Sequence, residues 1–588
     1  MTLLTKFSLI VLCLLSTLSF AQKLKSFEIN GNYNFDDDEY FKWTRLQISQ
    51  PYFDGIIDSA KNRIAYNLTE NAFYFFEFTQ EKIEISFDSA SFSISLGIEE
   101  GDPVIVKNVF IESNDSISIS DLQKRFELVV NDYLNKIEIE SLIDKALTEF
   151  ENAGYPFARI IISGIEIFQD SINQKNYANI SLKIDKETQS KIDKIEISGN
   201  NSTKDYVITR ELRLVTGELY SQKKIEELPK RLNRLRFFQP VAQPSFYFNS
   251  KNEGVLLIEV KEKNTNNFDG ILGYIPPAKN EQSGYLTGLI NISLRNLFGT
   301  GRAAALRWNK FNRNSQELDL KYLEPWFFGY PVNINLNLYQ KIQDSTYVQR
   351  KFEAAVEYLA TEDISASLFA STESVIPTER SIPVFTVFNS SYLSSGLSLK
   401  IDTRDDPYSP TEGLIFINSY TYSRKKITGP IEYISPSTIT SINLQRISVT
   451  FNFYYLIFSR QVIAIGVNGR ELRGSSLESS DLFRLGGNNT LRGYREEQFL
   501  GSRVFWSNLE YRFLFASRTY GFAFFDTGYY LQSENLEKNI IKQEDFLYGF
   551  GFGLNLETAL GVLKVSYALG EGDTFSDGKI HFGLVNEF

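Results

Sequence analysis

The sequence predicts three small α+β modules in series, followed by a C-terminal antiparallel transmembrane β-barrel of about 16 strands. Three observations predict it. Before residue 265 the order strand, helical stretch, break, two strands recurs three times. From about residue 267 onward, long segments alternate apolar with polar residues. Aromatic residues make up 14% of the chain, with 48 Phe and 32 Tyr, and no apolar run beyond the N-terminus is long enough for a transmembrane helix.

At the N-terminus Lys6 precedes the apolar run Phe7 to Phe20, and Ser19-Phe20-Ala21 sets small residues where a signal peptidase needs them. Residues 1–21 are therefore expected to be a signal peptide, with cleavage before Gln22. The run falls short of the roughly 20 apolar residues an anchoring helix needs. Cys13 lies inside the run and not at its end, a poor position for lipidation. Its loss would leave a chain without thiols, which excludes disulfides, zinc–thiolate sites and cysteine nucleophiles. The net charge is −11, and the 61 Lys and Arg are dispersed among 72 acidic residues without a basic block, so no nucleic acid is expected as partner.

The modules are placed at 22–102, 103–188 and 189–265. In the third, the strand Ile192 to Ile197 ends at the turn Ser198-Gly199-Asn200. Val207 to Leu214 and Ile225 to Leu235 have helical spacing, and Val255 to Val260 closes the unit as a strand. The second starts with a strand at Val104 and continues with a helix from Ile137 to Asn152, a break at Gly154-Tyr155-Pro156 and a strand from Ala158. The first, from Leu24 to about Glu100, is the loosest copy, with Ala72-Phe73 at its break.

The barrel is placed at 266–588. Val332, Ile334, Leu336 and Leu338 alternate with Asn333, Asn335 and Asn337, and Ile447, Val449, Phe451 and Phe453 alternate with Arg446, Ser448, Thr450 and Asn452. Alternation alone also fits a soluble sandwich. Export, the aromatic excess and the alternating last segment, Ile580 to Phe588, decide for the barrel. The 320 residues from Asp269 onward give roughly 16 strands, at about 10 residues per strand and a similar allowance for turns and loops.

One segment stands out within the barrel, Phe483 to Tyr494, which places Arg492 beside the flexible Gly493 in a region that is otherwise membrane wall. An arginine there needs a partner. Glu510 in Asn508-Leu509-Glu510-Tyr511-Arg512-Phe513 and Asp526 in Phe524-Phe525-Asp526-Thr527-Gly528 share the polar parity of their strands, while Leu509, Tyr511 and Phe525 face out. A guanidinium fork matches carboxylates and is always charged, so Arg492 is expected to pair with Asp526 inside the lumen, with Glu510 as a second acceptor. His581, on the lumen-facing parity of the last strand, has no second histidine with which to build a triad or zinc site. Asp402, Arg404, Asp405 and Asp406 fit a satisfied turn better than a cation site. Gly486-Gly487 lacks the lysine of a phosphate loop. No catalytic residue, cofactor or metal is expected.

Taken in order, these stretches resemble the BamA/TamA family of outer-membrane assembly barrels, whose amino-terminal POTRA domains the three repeats look like. Asn296-Leu297-Phe298-Gly299-Thr300-Gly301 is similar to the family's early hairpin, and Tyr322-Leu323-Glu324-Pro325-Trp326 to its next turn. Asp402 to Pro407 with Pro410 to Gly413 is similar to a mid-barrel periplasmic turn, and Leu556 to Gly561 to the turn before the penultimate strand. The length and the three POTRA-like domains resemble TamA-type members. The resemblance implies 16 strands, modules in the periplasm, a barrel in the outer membrane, an Arg492-Gly493-Tyr494 loop tip folded back into the lumen, and Phe588 as a C-terminal assembly signal.

The function expected is assembly or insertion of other β-proteins, without covalent chemistry. The expected partners are nascent or unfolded outer-membrane β-proteins, the lipid bilayer and an inner-membrane or periplasmic protein. A client strand would pair with module edges and with a weak seam between the first and last barrel strands. Gly270 and Gly273 in the first strand and Gly583 in the last, with Gly578 beside it, are the weak points, since interior glycine loosens a strand. The alternatives are a two-partner secretion transporter moving one exported substrate, and a passive pore.

Overall fold

The computed structural model describes residues 22–87, 90–113, 119–275, 284–310, 312–343, 346–378, 385, 387–407, 409–534, 541–558 and 561–585. Residues 1–21 and Phe588 lie outside the described residues.

Three units of like topology come first. The first runs β1 (Lys23–Asn30), α1 (Asp37–Thr44), α2 (Ile56–Glu70), β2 (Glu77–Ile85), β3 (Ser91–Glu99). The second runs β4 (Val104–Ser113), α3 (Ile119–Phe126), α4 (Lys136–Asn152), β5 (Arg159–Gln169), β6 (Asn176–Asp185). The third runs β7 (Lys194–Ser198), α5 (Asp205–Leu212), α6 (Gln222–Leu235), β8 (Ser245–Phe248), β9 (Gly254–Glu259). Each has a three-stranded sheet with its last strand in the middle. In the first two, the middle strand is parallel to the first strand and antiparallel to the second.

The middle strands are buried at alternate positions, Phe92, Ile94, Leu96 and Ile98 in β3 and Ala178, Ile180, Leu182 and Ile184 in β6. Helices cover them with residues four apart: Ile56, Ala60, Ile64 and Leu68 on α2 are all buried. Asp36 caps α1 by accepting from the Glu39 N–H at 2.8 Å, and Asn135 caps α4 by accepting from the Glu138 N–H at 3.2 Å. Ala72, Gly154 and Arg236 stand just past the second helix of each unit with positive φ (71°, 98° and 60°). The first and third units thus hold with alanine and arginine a conformation that glycine adopts freely.

The rest of the chain forms one 16-stranded sheet in which each strand pairs antiparallel with the next. Its strands are β10 (Asn267–Ile275), β11 (Tyr285–Leu297), β12 (Arg302–Lys310), β13 (Gln316–Glu324), β14 (Val332–Gln343), β15 (Tyr347–Leu359), β16 (Ile364–Pro377), β17 (Asn389–Asp402), β18 (Gly413–Gly429), β19 (Ser441–Phe458) and β20 (Gln461–Arg473). After a two-stranded ribbon of β21 (Phe483–Leu485) and β22 (Phe499–Gly501), it continues with β23 (Arg503–Ala516), β24 (Thr519–Gln532), β25 (Gln543–Thr558), β26 (Gly561–Gly570) and β27 (Lys579–Val585). The segment between β20 and β23 bonds to both the fifth and the sixteenth strand. Glu497 accepts from Lys341 Nζ on β14 at 2.8 Å, and the Gly493 N–H donates to His581 Nε2 on β27 at 3.1 Å. A sheet whose distant strands meet one segment on one face is rolled into a barrel around it. Outward residues are apolar and bare, among them Leu338, Phe352, Leu509, Tyr511 and Phe525.

The chain divides into two compact units. One holds the first two modules and residues 189–194, 215–226 and 246–256 of the third, and the other holds the rest of the third and the barrel.

In the first module, Glu100 is buried and accepts from Tyr40 Oη (2.7 Å), the Asn34 N–H and Nδ2 (both 2.7 Å) and the Tyr33 N–H (3.1 Å). Burial pushes its carboxyl up, but these donors outweigh burial and hold it below the usual glutamate range. A depressed carboxylate contributes stability above its unfolded pKa of about 4.3, and that stability is lost as pH falls through the lower folded value. A fragment of residues 22–188 is expected to lose melting temperature as pH falls below about 4.3. Glu100→Gln should flatten that loss and cost about 1–3 kcal/mol at neutral pH. Thermal melts followed by circular dichroism at several pH values check both.

Candidate functional site

The loop between β20 and β23 turns back into the barrel, and its tip is built around Arg492. The side chain is 2% exposed, and that of its main acceptor, Asp526 on β24, is 0% exposed. Arg492 Nε donates to Asp526 Oδ2 and Nη2 to Oδ1, both at 2.7 Å, which is the bidentate fork. The remaining arm, Nη1, donates to Glu510 Oε1 on β23 at 2.6 Å, and the Arg492 N–H also reaches Asp526 Oδ2 at 3.1 Å. The guanidinium lies over Phe524, 3.6 Å from the ring centre.

Glu510 serves two further cations. Arg512 Nε donates to its Oε2 at 2.9 Å, and Lys564 Nζ on β26 to its Oε1 at 2.7 Å. The site therefore holds three cations against two carboxylates, and Arg512 also donates to the Pro410 carbonyl at 3.2 Å. Buried charges persist only when paired and hydrogen-bonded. Here every carboxylate oxygen accepts at least one charged donor.

Backbone conformation sets the tip. Gly493 has φ +95°, and a Cβ there would stand 2.7 Å from the Gly570 nitrogen, so no other residue fits without a shift. Tyr494 Oη donates to the Tyr548 carbonyl at 3.0 Å and accepts the Glu571 N–H at 3.2 Å. Leu485 and Leu491 fill the space under the tip against Val504, Trp506 and Leu547.

A second buried cluster holds the root of the same loop. Lys425 on β18 donates to Glu478 Oε2 and Asp481 Oδ2, both at 2.7 Å. Tyr392 Oη donates to Asp481 at 2.7 Å, and the Phe388 N–H to Glu478 at 3.0 Å. Between root and tip, Glu497 is bridged to Lys341 and to Arg484, the latter at 3.2 Å.

The structure thus brings Arg492, Gly493, Tyr494, Glu510 and Asp526 together. Gly270 and Gly273 lie in β10, paired with Ile290 and Thr287 on β11. Gly583 lies in β27, where a Cβ would run into the side chain of Asn488 at the loop tip. A Cβ at Gly578 would run into the Tyr567 ring. Arg512, Lys564 and Lys425 were not among the residues the sequence singled out. Arg512 shares the parity of Glu510, a usable signal, whereas Lys425 meets acids more than 50 residues away with no local pattern. His581 accepts from the tip backbone. Asp402 takes the Arg404 fork, and Asp405 accepts from the Thr411 and Glu412 N–H groups. Among the described residues, no cluster of His, Cys, Asp and Glu has metal-binding geometry.

The model of the Omp85 superfamily domain matches residues 296–588, and the POTRA model, described as a surface antigen variable number repeat, matches residues 190–263. The chain is 21% identical over 360 residues to the outer membrane protein assembly factor BamA of Neisseria meningitidis serogroup B, covering 59% of this chain and 43% of that protein. It is 24% identical over 480 residues to BamA of Nitratidesulfovibrio vulgaris, covering 76% and 56%. The chain spans about half the length of the curated relatives it matches. Among solved structures, BamA from Haemophilus ducreyi lacking POTRA domains 1–3 shares the fold, at TM-score 0.51 and 17% identity, covering 81% of this chain and 98% of that one.

Two outcomes follow from the paired clusters. Arg492→Ala and Asp526→Ala should each destabilise the folded barrel by about 3–5 kcal/mol, with the double mutant little worse than either single. Arg492→Lys should recover only part, because it lacks the fork. Unfolding of the barrel in detergent, read as the gel shift on heating, gives the cycle; additive losses would mean that the two residues do not couple. Lys425→Met should strand two buried carboxylates and expose the loop root around residues 474–482 to external protease, while the tip stays clamped by Arg492.

Proposed function

Because the chain belongs to the Omp85 superfamily, with the barrel in the outer membrane and POTRA structure ahead of it in the periplasm, we propose that it assembles other β-barrel proteins into that membrane by offering them a strand edge. The observation that carries this reading is the state of the sheet's two ends. Among the described residues, β10 pairs only with β11 and β27 only with β26. In a bilayer, unpaired backbone N–H and C=O groups cost several kcal/mol each. A client strand that pairs with such an edge satisfies both chains at once.

β10 has 9 residues, against 17 in β18 and 18 in β19. Gly270 and Gly273 weaken β10 further, since each removes a side chain that would pack across the strand pair. The work is non-covalent: pairing energy and membrane placement replace a catalytic group. Partners under this reading are unfolded outer-membrane β-proteins, the bilayer, and a periplasmic or inner-membrane protein that meets the modules.

Secretion of one dedicated substrate through the lumen would require the clamped loop to leave it, and Arg492, Lys341 and Lys425 all hold that loop in place. That favours assembly over passage.

The test locks the seam. Leu272 and Phe582 are both exposed on the outer face near the two edges. Leu272→Cys with Phe582→Cys, in a Cys13→Ser background, should crosslink on oxidation. The locked protein should keep its heat-sensitive gel mobility, while outer-membrane protein levels fall in cells that carry only this form. Unchanged levels would sink the seam mechanism.

A further inference from the structure

The outer face of the barrel carries a groove near the end that meets the third module. Strand pairing fixes which residues point outward there. The exposed Leu338 on β14 stands opposite Leu320 on β13, which stands opposite Leu306 on β12. One outward position nearer the module, the same face reads Leu336, Tyr322, Ala304 and Leu294 from β14 to β11. Side chains at opposed positions normally fill the surface between strands, so an alanine between a tyrosine and a leucine leaves a notch. The notch opens a groove of about 430 Å³, lined by Ile292, Leu294, Leu306, Leu320, Tyr322 and Leu338 beside Ala304.

The module end of this groove is charged. Arg302 begins β12 directly after the turn whose Gly299 carbonyl accepts the Lys204 N–H of the third module at 2.9 Å. It shares the outward parity of Ala304 and Leu306. Its Nε donates to Glu324 Oε1 at 3.0 Å and Oε2 at 2.7 Å, and Tyr322 Oη donates to the same Oε2 at 2.6 Å. The carboxylate thus holds Arg302 by one nitrogen. Among the described residues, Nη1 and Nη2 make no hydrogen bond, and the side chain is 42% exposed. A second guanidinium stands at the same end: Arg210 Nη2 on α5 donates to the Thr300 carbonyl at 3.3 Å, and a Cβ on Gly301 would stand 2.4 Å from it.

We propose that this groove binds one glycerophospholipid of the periplasmic leaflet, with its phosphate on Nη1 and Nη2 of Arg302 and one acyl chain lying over Ala304. The terminal edge of a guanidinium matches two phosphate oxygens, and Glu324, held on Nε, does not compete for it. An acyl chain in the notch gains the contacts that the missing side chain would have made. Lipid touches the whole outer wall, but a smooth wall selects no particular molecule. Here the notch fixes the chain and the donor pair fixes the headgroup. The headgroup then lies beside Arg210 and the turn that carries the third module, two strands from β10. This rests on the outer-membrane placement and not on the assembly reading, so either can fail alone.

Native mass spectrometry of the full-length protein, released from detergent after incubation with dioleoylphosphatidylethanolamine, tests it. The expected result is one retained lipid per chain, reduced severalfold by Arg302→Gln, which removes the phosphate donors, and by Ala304→Phe, which fills the notch. Ala523→Phe is the control, since Ala523 is exposed on the outer face of β24 opposite Tyr511; it should retain lipid as the unaltered protein does. Dioleoylglycerol has the same chains without the phosphate, and in molar excess it should not displace the bound phospholipid. Retention unchanged in Arg302→Gln or Ala304→Phe would overturn the site, as would an equal loss in Ala523→Phe or displacement by dioleoylglycerol. Should Arg302→Gln lose its heat-sensitive gel mobility, Ala304→Phe and the competition on the unaltered protein decide, with the same expected and overturning results.

Discussion

The barrel's interior is organised by one ion-pair network, the Arg492 fork on Asp526 with its third arm on Glu510. A guanidinium this deeply buried is tolerated only with its donors spent on charge, and the fork spends all three arms on two carboxylates from adjacent strands. Glu510 then collects Arg512 and Lys564, so β23, β24, β26 and the loop tip share one set of charges. Removing Arg492 would strand Asp526, and removing Glu510 would leave Arg512 and Lys564 without their carboxylate. The loop is placed by that constraint, and Gly493, Tyr494 and His581 only refine it.

Buried ion pairs add little net stability over a well-packed apolar core, but breaking one is expensive. Their value here is position. The Lys425 cluster fixes where the loop leaves the wall, and the Arg492 cluster fixes where it ends. Between them the loop has little freedom, and its tip leans on the last strand at two points: the Gly493 N–H on His581, and Asn488 against Gly583. A glycine expected only to loosen β27 is also the gap that admits the loop. Any displacement of the tip therefore acts directly on the strand at the sheet's free end.

Much of this was legible in the sequence because alternation is a physical record of which face meets lipid. The parity of Leu509, Tyr511 and Phe525 located Glu510 and Asp526 on the inner wall, and an arginine beside a flexible glycine needed acids there. The partners that strand parity could not supply were those brought in by curvature. Lys564 lies two strands beyond Asp526, and Lys425 meets Glu478 and Asp481 only because the loop folds back. In the modules, Gly154 marked the break after the second helix, whereas Ala72 and Arg236 hold the same left-handed conformation without the residue that signals it. At Ala72-Phe73 the backbone follows the pattern while the side chain gives no sign of it.

The strengths of the two sides of the barrel differ for one reason. The wall at β23 to β26 is tied across strands by backbone ladders and by charges that cannot be separated cheaply, while β10 and β27, among the described residues, hold only one neighbour each. A bilayer does not tolerate an unsatisfied edge, so whatever pairs with those strands gains more there than at any interior position, where a ladder would first have to break. Under the proposed seam mechanism the clamp and the seam are one design: fixing the loop against β27 from inside leaves the outer edge of that strand as the place where pairing remains available.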